Sequence, residues 1–186
     1  MREQDSHIIH WLDYSLSALK KDKRKRTNLD VSHYFEIFKS NWTKALSSQK
    51  TIIKLTKKLN DIITIRAFTI DFDTVFNNLL ANSLDAFKLR KDNTPREITI
   101  TWSKECERLC IIYEDTGVGL SKDFKNPEDI FLPFETSKRD KKGNAIGTGM
   151  GMYLVKLVIE DYNGYVELMS AEIGFKIKIS LPLRKQ

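Results

Sequence analysis

Asn78, Asn82 and Asp85 stand at i, i+4 and i+7, a spacing that puts three oxygen-bearing side chains on one stripe of a helix. Asparagine disfavours helix interiors because its amide competes for backbone hydrogen bonds. Two of them one turn apart suit a hard cation such as Mg²⁺, which takes oxygen ligands, keeps several waters and shares phosphates. Local hydrogen bonding on a solvated face would use the same residue types. Asp115 ends an apolar run and precedes Thr116-Gly117-Val118-Gly119. A carboxylate held there can accept a hydrogen bond from the exocyclic amino group of adenine. Guanine would present an oxygen at that place and leave two acceptors facing each other. An aspartate before glycine is also ordinary turn chemistry.

The glycines add a third signal. All eight lie from residue 117 onward, and six fall between Gly117 and Gly151. Glycine lets backbone turn sharply or approach a ligand closely, at an entropic cost. Gly147-Thr148-Gly149-Met150-Gly151 opens a helical run, and exposed N–H groups at a helix start form a seat for phosphate. The pattern is neither a Walker loop, which needs GxxxxGK[ST], nor the GxGxxG dinucleotide fingerprint directly after a strand.

These residues need elements to hold them. Periodicity predicts a helix over 6–19, with Ile8, Ile9, Trp11, Leu12, Leu16 and Leu19 as its stripe. Asp30 is the expected N-cap of a second helix carrying Tyr34, Phe35, Phe38, Trp42 and Leu46. Residues 51–59 and 62–68 read as short strands around Asn60-Asp61. The site helix is expected over 72–89, capped by Asp71 or Asp73, with Phe72, Val75, Phe76, Leu79, Leu80 and Ser83 facing a core. Ile98, Ile100 and Trp102 alternate on a strand that turns at Lys104-Glu105. Leu109 to Tyr113, apolar on both faces, read as a central strand that delivers Asp115. Residues 121–146 form a long connection of the kind used as lids. A helix follows Gly151 and stops near Asn163-Gly164. Residues 165–168 and 175–179 close the chain as a hairpin through Gly174. The sum is an α/β sandwich, one sheet covered mainly on one face.

Composition bounds the rest. A chain of 186 residues, 41% hydrophobic and 30% charged, suits a soluble globular domain. No apolar run reaches the ~18 residues of a membrane span, and the first residues lack a signal peptide's apolar stretch. The cysteines, Cys106 and Cys110, are too few for a disulfide framework; with His7, His10 and His33 they make no zinc site. A cytoplasmic home is expected. Much of the net charge of +6 is local. Residues 20–26 form one basic run, read as a solvated linker, with a nucleic-acid contact as the weaker reading. Lys138, Arg139, Lys141 and Lys142 form another between the glycine clusters, where an anionic phosphate would be near.

Taken in order, Asn78-Leu79-Leu80-Ala81-Asn82-Ser83-Leu84-Asp85-Ala86, then Asp115 to Gly119, then Phe131-Leu132-Pro133-Phe134-Glu135-Thr136-Ser137-Lys138, then Gly147 to Met152, resemble the boxes of the GHKL (Bergerat-fold) ATP-binding family. The likeness is strongest to the catalytic domain of sensor histidine kinases and covers roughly residues 30–183. It implies a two-layer α/β sandwich: a mixed, largely antiparallel sheet with helices on one face, as residues 29–186, preceded by an N-terminal helix and basic linker over 1–28. It also implies ATP and Mg²⁺ as cofactors. Asn78 and Asn82 would hold metal and phosphates, with Asp85 beside them. Asp115, Gly117 and Gly119 would hold adenine; Lys138, Gly147, Thr148, Gly149, Met150 and Gly151 would surround phosphate.

In hydrolysing members a glutamate four residues before the metal-binding asparagine activates water; Asn78 stands there instead. An amide is no general base at neutral pH, so phosphoryl transfer with slow hydrolysis is implied. The family's phosphoacceptor histidine is followed by an acid, whereas His7, His10 and His33 precede Ile8, Trp11 and Tyr34. The acceptor histidine is therefore expected outside this chain, with a response regulator as the further partner and the N-terminal helix as a dimer contact. The alternative is an ATP-gated conformational module without histidine transfer. Ala171-Glu172-Ile173-Gly174-Phe175 also differs from the Gly-Thr more usual before that phenylalanine.

Overall fold

Asp30 closes one element and starts the next. The computed structural model describes residues 26–58, 62–137 and 147–183. Within it, strand β1 (Thr27–Asp30) runs straight into helix α1 (Val31–Ser47), and the Asp30 carboxylate accepts from His33 N at 3.0 Å. The expected N-cap is the observed one. The helix over 6–19, with His7 and His10, lies outside the described residues, as does the basic run up to Lys25. Arg26 is described: its guanidinium stacks 4.4 Å from the Tyr162 ring and pairs with Asp161.

Strands β2 (Thr51–Lys57) and β3 (Thr64–Ala67) form where β-branched residues gather, but they enter different sheets. β3 pairs antiparallel with β1 in a two-stranded sheet, while β2 joins the main sheet. Helix α2 (Thr69–Leu89) begins earlier than the expected residue 72, and neither Asp71 nor Asp73 caps it. The cap is Phe68, with no side-chain cap bond of its own. A tertiary contact does that work: the Tyr162 hydroxyl accepts from Phe68 N at 3.0 Å and donates to the buried Asp71 carboxylate at 2.6 Å. Asp73 instead accepts from the Tyr34 hydroxyl.

The main sheet adds β4 (Arg96–Glu105), β5 (Arg108–Asp115), β6 (Tyr165–Leu168) and β7 (Phe175–Pro182) in the order β2-β4-β5-β7-β6. Only β2 and β4 run parallel. β4 extends through Lys104-Glu105, which was expected to turn. Its register with β5 persists to Glu105 opposite Arg108, so the two-residue connection is Cys106-Glu107, with Cys106 at φ 53°. A 3-10 helix (Pro127–Phe131) interrupts the long connection and buries Ile130 and Phe131. Helix α3 (Gly151–Asp161) follows the second glycine cluster, and Asn163 at φ 56° ends its last turn.

Alternation sorts the sheet into two faces. Ile98, Ile100, Trp102, Leu109, Ile111, Tyr113, Ile177, Ile179 and Leu181 are buried toward the helices. The other face carries cross-strand ion pairs, Lys54–Glu97, Lys176–Glu114 and Lys178–Glu105. These are half-exposed and keep that face wet rather than adding much stability. The expected one-sided α/β sandwich is the observed fold. Phe35 joins its layers: its ring meets Phe76 of α2 at 4.9 Å and Trp102 of β4 at 5.0 Å. Replacing Phe35 by Ala should therefore cost about 3–5 kcal/mol. The midpoint of urea unfolding reads that loss, and a shift worth under ~1 kcal/mol would contradict this packing account.

Candidate nucleotide site

β5 carries Asp115 on the helix-facing side of the sheet, at the end where the chain leaves. Asp115 is 3% exposed. Its Oδ2 accepts from Ser83 Oγ at 2.6 Å and its Oδ1 from Gly117 N at 2.8 Å. Burial raises its pKa above the usual carboxylate range, and the Ser83 and backbone donors pull it partly back. Gly117 is required for space, since a Cβ there would lie 2.6 Å from the Ala86 Cβ of α2. Gly119 adopts φ 77°, with a Cβ direction filled by the Gly174 carbonyl at 2.8 Å. Glycine is thus used here to let the Asp115 turn pass between α2 and the start of β7.

On α2, Asn78, Asn82 and Asp85 share the expected stripe, all of intermediate burial. Asn78 spends its Nδ2 donor within the helix, on Thr74 O at 2.7 Å. Its Oδ1 faces the start of α3, 3.0 Å from where a Cβ on Gly151 would stand. Asp85 accepts from Lys88 Nζ at 2.8 Å on the helix surface. The next residue after Asn82 is Ser83, whose hydroxyl reaches Asp115. One helix therefore touches the Asp115 turn and the second glycine cluster, with Asn82 between the two contacts.

α3 opens at Met150 with no side-chain cap bond. Thr148 Oγ1 accepts from Met150 N at 3.2 Å, and Gly147 and Gly149 hold φ of 87° and 64°. A Cβ on Gly149 would come within 2.7 Å of Glu135 N, so glycine there lets the segment after the 3-10 helix lie against the cluster. A helix start free of side-chain capping offers its N–H groups and positive end to an anion. Lys138 lies outside the described residues, as do Arg139, Lys141 and Lys142.

Ser83, Tyr113, Arg90 and Thr116 were not singled out from sequence. Ser83 was assigned to the core stripe, and it is buried; the available signal was that a buried hydroxyl must find a partner. Arg90 directly follows α2. Its guanidinium donates to the Thr116 carbonyl, to Asp92 at 2.6 Å and to Thr94 at 2.7 Å. Thr116 in turn donates to Pro95 O at 2.6 Å and accepts from Glu97 N at 2.9 Å. Nothing in the sequence links residues so far apart.

The residues fit a magnesium nucleotide. A desolvated acceptor sits beside glycine backbone, and an amide oxygen faces an uncapped helix start. Among the described residues no group of three His, Cys, Asp or Glu could hold a metal. A cation here would depend on amide oxygens and the ligand's own phosphates.

Residues 69–185 match the family model described as histidine kinase-, DNA gyrase B-, and HSP90-like ATPase. The chain belongs to that family. This ATPase-family domain is 30% identical over 112 residues to the C4-dicarboxylate transport sensor protein DctB of Rhizobium meliloti. That match covers 60% of the chain and 16% of DctB, so the chain spans about a sixth of that relative's length. The catalytic domain of histidine kinase ThkA superposes with a TM-score of 0.68 at 19% identity, over 86% of this chain and 96% of that one. ThkA in complex with response regulator protein TrrA gives 0.66 at 15%, over 96% and 49%. The fold is therefore that of a histidine kinase catalytic domain. No helix among the described residues is long and apolar enough to cross a membrane.

The buried charge of Asp115 has a consequence for stability. A carboxyl whose folded pKa is raised favours folding while protonated. That contribution is complete below the unfolded-state pKa and is lost as pH rises through the folded one. Asp115→Asn removes the titration and keeps the shape. Its melting temperature, measured against the parent across that range, should gain on the parent as pH rises; a constant difference would contradict the assignment.

Proposed function

We propose that this domain binds Mg-ATP and presents it for phosphoryl transfer to a histidine on a phosphoacceptor domain outside the chain. Asn82, with Asn78, would ligate Mg²⁺ and phosphate. Asp115 would accept the adenine amino group, with Gly117 and Gly119 shaping the turn beside the base. The N–H groups around Gly147 to Gly151 would cradle phosphates, with Lys138 as a mobile point charge. Phosphoryl transfer asks for positioning and charge neutralisation more than covalent participation, and Mg-ATP supplies the phosphoryl group and the neutralising cation when bound.

The observation that carries this reading is Asn78. Its amide faces the helix start where a hydrolysing relative would place a glutamate, and its Nδ2 is tied back to Thr74. An amide cannot take a proton from water, and such a base is worth typically ~10²–10⁴-fold in rate. The domain therefore holds ATP without efficiently hydrolysing it. The ThkA–TrrA complex supports a response regulator as the eventual recipient, because that partnership belongs to a protein of the same fold. A cytoplasmic location, residues 29–186 as the ATP-binding unit and a dimer contact through the N-terminal helix belong to the same proposal.

Two measurements test it. Asn82→Ala should abolish magnesium-dependent ATP binding in calorimetry while leaving the circular dichroism spectrum and melting temperature near the parent's; undiminished affinity would remove the metal role. Labelled ATP mixed with the chain and a cognate histidine-bearing dimerisation domain should leave acid-labile phosphate on that domain, with slow release of inorganic phosphate by the chain alone. Efficient turnover by the isolated chain, or no histidine phosphate, would favour an ATP-gated module instead.

A further inference from the structure

Ser83 has one hydroxyl hydrogen and three oxygens around it: Asp115 Oδ2 at 2.6 Å, the Tyr113 hydroxyl at 2.8 Å and the Leu79 carbonyl at 3.2 Å. When Asp115 is ionised, a short O–H···O⁻ bond is the strongest of the three, so the hydrogen goes to the carboxylate. Ser83 then has nothing left to give Tyr113, and the phenol must donate to Ser83. Tyr113 is fully buried, and that burial pushes its pKa far above the ordinary phenol value. It keeps its proton and remains a donor. Both hydroxyls therefore point one way, Tyr113 to Ser83 to Asp115. On the other oxygen, Gly117 N also donates. Every hydrogen bond from these neighbours arrives at Asp115 as a donor, although desolvation and the nearby Glu114 both favour its neutral form.

The alternative state has a different chemistry. A neutral Asp115 would carry its own hydrogen and could donate to a carbonyl, the group a 6-oxopurine presents where a 6-aminopurine presents a donor. We propose that Ser83 and Tyr113 are positioning residues for base selection: their aligned hydroxyls hold Asp115 as an acceptor and so set the preference for a 6-aminopurine over a 6-oxopurine. This rests on the reading of Asp115 as the base contact. A serine that merely filled space in α2 would leave base preference untouched, because it would not act on the protonation of Asp115.

Calorimetric titration of the full chain with ADP and with inosine diphosphate, each with Mg²⁺, separates the cases. In Ser83→Ala, ADP should weaken about tenfold, with inosine diphosphate unchanged or tightened, so the affinity ratio falls. Tyr113→Phe should move the ratio the same way by less, since the Ser83 hydrogen can then swing toward Leu79. Melting temperatures establish that each variant is folded, and if Ser83→Ala fails to fold, the ratio in Tyr113→Phe decides. Equal weakening of both nucleotides, or no change in the ratio, overturns the inference. Asp115→Asn is the separate control and should collapse or invert the ratio. If it does and Ser83→Ala does not, only the hydroxyl relay falls; if Asp115→Asn leaves the ratio intact, the adenine reading falls with it.

Discussion

The bond from Ser83 to Asp115 joins the two layers of this protein at the point where chemistry is expected. Ser83 belongs to a helix whose apolar stripe packs on the sheet, and Asp115 ends the sheet's central strand. A carboxylate so deeply buried is costly unless donors meet it. Here Ser83 and the Gly117 amide meet it, and Ser83 can do so only if α2 lies at one height along the strand. The same helix position places Asn78 against the start of α3. Satisfying one buried charge thus fixes the relation between the three candidate parts of the site.

Glycine placement follows from the same closeness. Gly117 passes within contact of Ala86, Gly119 against the Gly174 carbonyl, and Gly149 against the backbone of Glu135. Each marks a place where two backbones, or a backbone and a helix, approach nearer than a side chain would allow. Around them Arg90 and Thr116 tie the turn after Asp115 to the segment between α2 and β4, through a carbonyl and two further side chains. Side-chain and backbone hydrogen bonds tie the turn down where the site would read a base. The site is bordered by the long connection where it would meet phosphate.

Much of the fold was legible because local and tertiary demands agreed. The stripes of α1 and α2, the alternation in β4 and the continuous apolar run of β5 each state a burial pattern that only one arrangement satisfies. Disagreements occurred where pairing or capping came from afar. β1 holds one apolar residue in four and exists because β3 lies beside it. The start of α2 carries two aspartates that look like caps, yet a tyrosine more than ninety residues later serves the helix end. The turn after β4 fell two residues later than expected because strand pairing extended the ladder over Lys104 and Glu105.

The sequence by itself determined the family, the order of the site-bearing elements from α2 to α3 and the residue types gathered for nucleotide chemistry. Those depend on spacing along the chain, on helical and strand periods, and on glycine's unique backbone. Tertiary structure alone decided that Ser83 and Tyr113 stand behind Asp115, that Arg90 clamps the turn, and that Asn78 faces Gly151. The reason is geometric: these contacts join residues 26 to 73 positions apart, and hydrogen-bond partners at such range are set by how layers pack rather than by any local pattern.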